Sequence, residues 1–177
     1  MKVDITRLKF LVADDNRFMR EITRAILFAF GARVVHEASD GAEALQMFRD
    51  HVPDIVILDV AMPILDGIET LRLMRDRSSS PNPYVPVIML TAYSERWRVL
   101  QARDAGATEY LVKPVSAAAI LARVASVVLD PRPFVETKGY FGPDRRRFVA
   151  PSLPGAPRRA SDASAGVVRL VDAAEPD

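Results

Sequence analysis

Short apolar runs, each followed within two positions by a polar residue, recur along the first three quarters of this chain. Four of them are apolar throughout and cover residues 10–12, 55–58, 87–90 and 110–112. A shorter run of the same character is the pair Val34 and Val35. Apolar runs that do not alternate with polar positions predict parallel strands buried on both faces.

The segments between these runs have helical periodicity. Apolar residues recur every three or four positions in three of them: Phe18, Ile22, Ala25 and Ala29; Ala42, Leu45 and Phe48; and Ile120, Val124 and Val127. Two more helices are predicted over residues 67–75 and 94–105. Gly31 and Gly106 are predicted to end helices as left-handed C-caps, and Ser116 is predicted to cap the last helix.

A strand followed by a helix, repeated five times, predicts an α/β fold. Because crossovers between parallel strands are right-handed, we expect an open, doubly wound, five-stranded parallel sheet in the order 2-1-3-4-5. The repeats occupy residues 1–130 as one domain. Residues 131–177 form a Pro- and Arg-rich extension, which we expect to be mostly irregular and disordered without a ligand.

Composition narrows the class of protein further. The formal net charge is +1, but residues 131–177 carry 8 basic and 6 acidic side chains, so the basic excess lies in the extension. The chain has no cysteine, which excludes disulfides and thiolate chemistry. The first ten residues lack the apolar core of a signal peptide, and no run approaches a membrane span. We therefore expect a cytoplasmic protein that does not insert into a membrane.

Five polar residues lie just past the predicted strands. Asp14 and Asp15 follow the first run, Asp59 the third, Thr91 the fourth and Lys113 the fifth. Since ligands bind doubly wound sheets at the carboxyl ends of the strands, we expect these side chains to meet. Three carboxylates that repel one another suit a hard dication such as Mg²⁺, which prefers oxygen ligands.

The same residues can receive a phosphoryl group. Asp59 can act as the nucleophile and form an acyl phosphate, Thr91 can donate its hydroxyl to a phosphoryl oxygen, and Lys113 can pair with the carboxylate or its phosphate. The structural alternative is that Asp14 and Asp15 only cap the first helix, while the other three are strand-end and loop residues. The ordered placement of all five favours the chemical interpretation.

These segments resemble the receiver domain of bacterial response regulators, a flavodoxin-like fold, over residues 9–129. The motifs are LVADDN, ILDVAMPILDG, VIMLTAY and EYLVKP. The resemblance implies a signalling protein, not an enzyme, that a histidine kinase or phosphotransfer protein phosphorylates on Asp59. It also implies that the Ala61 carbonyl joins the three aspartates around Mg²⁺, that Thr91 and Tyr110 form a conformational switch, and that the bond between Lys113 and Pro114 is cis. A partly buried Tyr110 without a signalling role is the alternative.

The extension is too short for a DNA-binding output domain and has no helix-turn-helix pattern, so we expect no DNA binding. A short helical stripe is suggested only near residues 167–171. Aromatic residues among arginines suit stacking on bases, and an arginine can donate two hydrogen bonds to the O6 and N7 edge of guanine. A guanine dinucleotide would satisfy the arginines, the aromatic rings and the carboxylates of the extension together.

The segment YFGPDRRR resembles the arginine-rich C-terminal tail of CheY-like cyclic di-GMP effectors, and RRASDASAG weakly resembles elements of PilZ domains. The first resemblance implies cyclic di-GMP as ligand and the flagellar motor switch or another motility protein as partner, with recruitment to the motor or cell pole. The predicted nucleotide-binding residues are Tyr140, Asp144, Arg145, Arg146, Arg147, Arg158, Arg159 and Asp162.

Other interpretations of the extension stay open at this point. It can be an incidental, solvated basic tail on a phosphorelay receiver, since charge runs are usually solvated. It can also bind RNA or acidic proteins without guanine preference, which would give strongly salt-dependent binding.

Overall fold

The computed structural model describes residues 3–92, 96–145 and 169–171. The first five strands are β1 (Lys9–Ala13), β2 (Val34–Ala38), β3 (Ile55–Asp59), β4 (Val87–Thr91) and β5 (Glu109–Val112). The helices are α1 (Arg17–Ala29), α2 (Gly41–His51), α3 (Gly67–Met74), α4 (Arg96–Asp104) and α5 (Ala117–Leu129). The strands form a parallel sheet in the order β2-β1-β3-β4-β5, which confirms the predicted topology.

The sheet separates two apolar clusters. Side chains alternate along β1, so Leu11 and Ala13 belong to the cluster shared with α2, α3 and α4, while Phe10 and Val12 belong to the cluster shared with α1 and α5. Every residue of β3 and β4 is buried. Because both faces are covered, polar groups can reach solvent only at the strand ends.

The buried faces of the helices follow the prediction in part. Ile120, Val124 and Val127 of α5 are buried as predicted. The stripe predicted for α1 is wrong, because Phe18 is 66% exposed and the residues that enter the core are Thr23 and Leu27. In α2, Leu45 and Phe48 are buried as predicted, together with Ala44, but Ala42 is exposed.

The α1 error has a physical origin. Its charged residues share one side, and the core contacts the border of the apolar side, where Thr23 and Leu27 lie, instead of its centre. The predicted caps are confirmed: the glycines after α1 and α4 have positive φ, and the Ser116 side chain accepts a hydrogen bond from the Ala119 amide at 3.1 Å. Within the described residues, no helix has the length and apolar character needed to cross a membrane.

The described part of the extension, residues 131–145 and 169–171, contains three short strands that the sequence analysis did not predict. Strands β6 (Phe134–Thr137) and β7 (Tyr140–Pro143) form an antiparallel hairpin, and β8 (Arg169–Val171) pairs with the other edge of β6. The suggested helical stripe near residues 167–171 is therefore wrong where the structure describes it. The amide of Asp144 donates to the carbonyl of Pro133 at 2.8 Å and closes the open end of the hairpin.

The hairpin packs against the receiver body instead of standing apart from it. Phe134 and Val135 are buried, and the rings of Phe134 and Phe141 meet Tyr84, which precedes β4, at centroid distances of 5.2 and 5.4 Å. Gly142 lies against the turn after α4, because a Cβ there would come within 2.9 Å of the Gly106 Cα. Residues of the hairpin therefore contact the receiver core, while the predicted domain boundary at residue 130 stays a prediction.

A buried arginine lies beneath the hairpin. The Arg75 side chain donates to the carbonyls of Gly106 and Pro83, both at 3.0 Å, and its guanidinium lies 5.2 Å from the centroid of the Phe134 ring. Burial lowers the pKa of Arg75 to about 9, so it stays protonated at neutral pH. These contacts lie at the amino-terminal ends of β4 and β5, opposite the ends that carry Thr91 and Lys113.

Candidate functional site

The acidic pair begins the site directly after β1. Asp14 is buried and Asp15 is exposed. The Asp14 amide donates to the Ala38 carbonyl at 3.2 Å, and its carboxylate accepts from the Asn16 amide at 3.0 Å. The side chain of Asn16, not of either aspartate, caps α1 by accepting from the amides of Phe18 and Met19. The structural alternative, in which the acidic pair caps this helix, is therefore wrong.

Asp59 ends β3 and lies in a tightly folded loop. It is 4% exposed. The loop returns so closely that a Cβ on Gly67 would lie 2.0 Å from the Asp59 carbonyl oxygen, and the Gly67 amide donates to Val60 at 2.9 Å. Only glycine at position 67 permits this approach of α3 to the strand end. Ala61, whose carbonyl the family resemblance assigns to the metal, is exposed two residues after Asp59.

Three carboxylates converge as predicted. Asp14, Asp15 and Asp59 can each offer a ligand atom, and these atoms lie within 4.8 Å of one another. Burial, followed by the charge of Asp14, raises the pKa of Asp59 from 3.8 to about 6. A dication would relieve this repulsion, and an all-oxygen, partly exposed donor set is the kind that Mg²⁺ accepts. The residues present therefore fit Mg²⁺.

Lys113 supplies the positive charge of the site. Its Nζ lies 2.6 Å from Asp14 Oδ2 and 3.1 Å from Asp59 Oδ2, so it bridges both carboxylates. The sequence analysis paired this lysine with Asp59 and did not predict the shorter contact to Asp14. Burial alone would lower the pKa of Lys113, but the hydrogen bond to Asp14 and the charge of Asp59 outweigh it and raise the pKa. The peptide bond between Lys113 and Pro114 is cis, as the resemblance implied.

The remaining receiver residues lie on the neighbouring strands. Thr91 is buried at the end of β4, and its carbonyl accepts from the Lys113 amide at 2.7 Å. Tyr110 on β5 pairs with Met89 in register and is half-buried against the core cluster that contains Leu11. The structure therefore brings Thr91 and Lys113 to one edge of the sheet, while the switch role of Tyr110 stays a prediction.

Arg20 is a site residue that the sequence analysis missed. Its Nη1 donates to the backbone carbonyls of Asp14 at 2.7 Å and Asp15 at 3.3 Å. A signal was available, because helical side chains lean toward the amino terminus of their helix. An arginine one turn into α1 can therefore reach the loop that precedes the helix.

The predicted nucleotide-binding residues fall in two groups. Tyr140 and Arg145 lie together, with the guanidinium 3.8 Å from the ring centroid, and Arg145 Nη1 also lies 3.3 Å from Asp104 Oδ1. Asp144 follows β7. The other five lie outside the described residues: Arg146, Arg147, Arg158, Arg159 and Asp162.

The doubly wound sheet with an acidic pocket and a bridging lysine at its carboxyl edge defines the receiver class of signalling domain. The sequence model of the family described as "Response regulator receiver domain" matches residues 10–125, and the chain belongs to this family. Receiver domains bind Mg²⁺ at this acidic pocket and interact with histidine kinases or phosphotransfer proteins. The matched region ends before the hairpin begins.

Individual relatives agree with this assignment. The chain is 35% identical to the chemotaxis protein CheY of Bacillus subtilis over 113 residues, which cover 64% of this chain and 91% of that protein. It is 41% identical over 108 residues to the transcriptional regulatory protein PdtaR of Mycobacterium tuberculosis, covering 61% of this chain and half of the length of that relative.

A similar solved structure is the chemotaxis response regulator CheY4 of Vibrio cholerae, with a TM-score of 0.63, 31% identity and coverage of 68% of this chain and 98% of that chain. These matches establish a CheY-like receiver.

Proposed function

We propose that this protein accepts a phosphoryl group on Asp59 from a histidine kinase or phosphotransfer protein. The observation that carries the proposal is the bridge of Lys113 between Asp14 and Asp59, at the point where three carboxylates converge. The strand-end nucleophile thus lies beside a cation and a divalent-metal donor set. This arrangement suits transfer of a phosphoryl group to a carboxylate.

In the proposed transfer, an Asp59 carboxylate oxygen attacks the phosphorus of the donor. An oxygen–phosphorus bond forms while the bond from phosphorus to the donor's nitrogen or oxygen breaks, and the leaving group takes up a proton from water. Lys113 and the Thr91 hydroxyl would hold the phosphoryl oxygens, while Asp14, Asp15, Asp59 and the Ala61 carbonyl would hold Mg²⁺. Bound Mg²⁺ would supply neutralisation of the phosphoryl charge.

Phosphorylation would then act as a signal. Contact between Thr91 and the new phosphoryl group would draw the end of β4 toward Asp59, and Tyr110 on the next strand would report this change at the surface. The proposed place of action is the cytoplasm. Similarity to chemotaxis proteins of the CheY type supports the flagellar motor switch, or another motility protein at the motor or cell pole, as the target.

Phosphorylation by a small donor tests the proposal directly. We expect acetyl phosphate with Mg²⁺ to phosphorylate the full chain, which a phosphate-affinity gel resolves. Asp59→Asn should abolish the shifted band, and omission of Mg²⁺ should reduce it strongly. Asp50→Asn, which changes an exposed carboxylate on α2, serves as the control and should leave the band unchanged. A shifted band that persists in Asp59→Asn would contradict the proposal.

Cyclic di-GMP binding by the extension is a second candidate function. It is favoured by the stacking of Arg145 on Tyr140, which presents a guanidinium and an aromatic ring together beside the predicted arginine-rich segment. The Arg145 side chain is 38% exposed, and its partner Asp104 is an exposed carboxylate, so the ion pair between them is weak. A guanine edge can replace that partner by accepting two hydrogen bonds from the guanidinium.

Calorimetric titration of cyclic di-GMP into the full chain tests this candidate. We expect saturable binding that GMP does not reproduce and that weakens at least about 10-fold when Arg145 to Arg147 become glutamine, since each lost charge-assisted contact costs more than about 1 kcal/mol. Arg17→Gln is the control, because Arg17 is an exposed arginine on α1 that pairs with Glu21. Binding that survives the triple change would remove the assignment, and equal binding of RNA would favour a nonspecific basic tail.

A further inference from the structure

An arginine of α1, the helix that follows the acidic pair, holds the backbone of Asp14 and Asp15. Arg20 Nη1 donates to two successive carbonyls, 2.7 Å to Asp14 and 3.3 Å to Asp15. The Arg20 side chain is only 16% exposed, so these hydrogen bonds are largely shielded from water. A single guanidinium therefore ties together the two residues that bring carboxylates to the pocket from β1.

The guanidinium of Arg20 is oriented in turn by the end of β2. Its Nε lies 3.9 Å from Glu37 Oε1, while the other oxygen of Glu37 accepts from Arg24 Nη1 at 2.6 Å. Glu37 thus contacts two arginines one turn apart on α1, but only Arg20 reaches the acidic loop. This difference makes Arg24 a matched control within the same network.

The acidic loop needs such a restraint. Asp14 and Asp15 are adjacent carboxylates that face Asp59, and like charges at this separation favour loop conformations that spread them apart. The Asp14 amide bond to Ala38, at 3.2 Å, holds only one side of the loop. The backbone carbonyls of Asp14 and Asp15 point toward α1, and both accept hydrogen bonds from Arg20.

We propose that Arg20 is a positioning residue for cation binding, which keeps the Asp14–Asp15 backbone in the conformation that lets both carboxylates reach one Mg²⁺. The inference rests on the proposed function, because it concerns the metal that phosphoryl transfer there requires. Partners of this kind, which orient ligands without touching the metal, typically contribute about 10–100-fold to metal affinity.

Positioning by Arg20 and its positive charge predict opposite changes in Mg²⁺ affinity when Arg20 is removed. Arg20 adds a positive charge near the pocket, and by charge alone its removal would strengthen the binding of a dication. If the hydrogen bonds to the two carbonyls matter more, removal weakens binding even though the pocket becomes more negative. The sign of the change in Mg²⁺ affinity therefore separates the two effects.

The test is calorimetric titration of Mg²⁺ into the full chain and its variants. We expect Arg20→Gln to weaken Mg²⁺ binding about 10-fold, and Arg20→Lys to weaken it less, because an ammonium can still donate to one carbonyl. Arg24→Gln should leave the affinity within about twofold, since exposed ion pairs contribute little. Thermal unfolding without metal identifies any variant that loses its fold. If Arg20→Gln does not fold, the Mg²⁺ affinity of Arg20→Lys is compared with that of the unmodified protein instead.

Unchanged or tighter Mg²⁺ binding by a folded Arg20→Gln variant would overturn the positioning role and leave the proposed function intact. A loss in Arg24→Gln as large as in Arg20→Gln would also overturn it, because the effect would then come from the general charge of α1. Absence of Mg²⁺ binding by the unmodified protein would instead overturn the metal-assisted function, and this inference with it.

Discussion

The Asp14 and Asp59 carboxylates share one buried pocket with the ammonium group of Lys113. Both carboxylates contact its Nζ, yet the pKa of Asp59 is raised to about 6, because burial and the charge of Asp14 outweigh the attraction of the lysine. The pocket therefore costs folding free energy in the absence of a metal. Strain of this kind is common where binding residues are held ready for a ligand.

Replacement of Asp59 by asparagine should stabilise the metal-free protein. The folded pKa of Asp59, about 6, lies above the unfolded value of 3.8, so ionisation opposes folding and the free energy of unfolding falls as pH rises between these values. We expect Asp59→Asn to gain about 1–3 kcal/mol over the unmodified protein above pH 6 and to lose most of this advantage near pH 4. Chemical denaturation at several pH values measures the difference.

The control for this prediction is Asp50→Asn, which changes an exposed carboxylate on α2 and should not alter the pH dependence. Addition of Mg²⁺ should stabilise the unmodified protein more than Asp59→Asn, since the variant lacks one ligand charge. An Asp59→Asn variant that is less stable than the unmodified protein at pH 7 without metal would contradict this account of the pocket.

Among the elements, the β6–β7 hairpin adds most to what the receiver repeats alone would form. Phe134 and Val135 are buried against the body, and Arg75 places a guanidinium beneath the Phe134 ring with no carboxylate contact in the described part of the chain. A buried guanidinium is costly unless its hydrogen bonds are made. The carbonyls of Pro83 and Gly106 meet part of this requirement, so docking depends on both aromatic packing and these two bonds.

Truncation of Phe134 measures how firmly the hairpin is docked. Phe134 is 7% exposed, so Phe134→Ala should lower the free energy of unfolding by about 3 kcal/mol, as expected for a buried phenylalanine. Phe18→Ala is the matched control, because Phe18 is 66% exposed and its loss should change stability by less than about 0.5 kcal/mol. Equal small effects from both variants would mean that the hairpin does not pack on the receiver.

At the scale of the whole molecule, the sequence predicts the receiver fold because β1, β3 and β4 are almost wholly buried and consist of nearly continuous apolar runs. Asp59, Thr91 and Lys113 could be assigned to one site because parallel strands bring their carboxyl ends to one edge. The inward face of α1 could not be predicted in the same way, since the helix turns the border of its apolar side, and not the centre, to the core. Arg20 was overlooked because its partners are backbone carbonyls, so only its position one turn into α1, and no complementary side chain, indicates the contact.

The hairpin was missed for a different reason. Its two strands are separated only by Lys138 and Gly139, the loop length of a tight hairpin, but the proline and arginine content around them favoured an irregular segment. The burial of Arg75 could not be foreseen, because it depends on contact with Phe134, far along the chain. Long-range packing of this kind appears only in the folded molecule.

Chemical mapping of the phosphorylated chain shows directly whether Asp59 accepts the phosphoryl group. The full protein would be phosphorylated with acetyl phosphate and Mg²⁺, reduced with borohydride to convert the acyl phosphate to homoserine, and digested for mass spectrometry. We expect homoserine at residue 59 and at neither residue 14 nor residue 15. Homoserine at another aspartate, or none at residue 59 despite phosphorylation of the chain, would mean that Asp59 is not the acceptor.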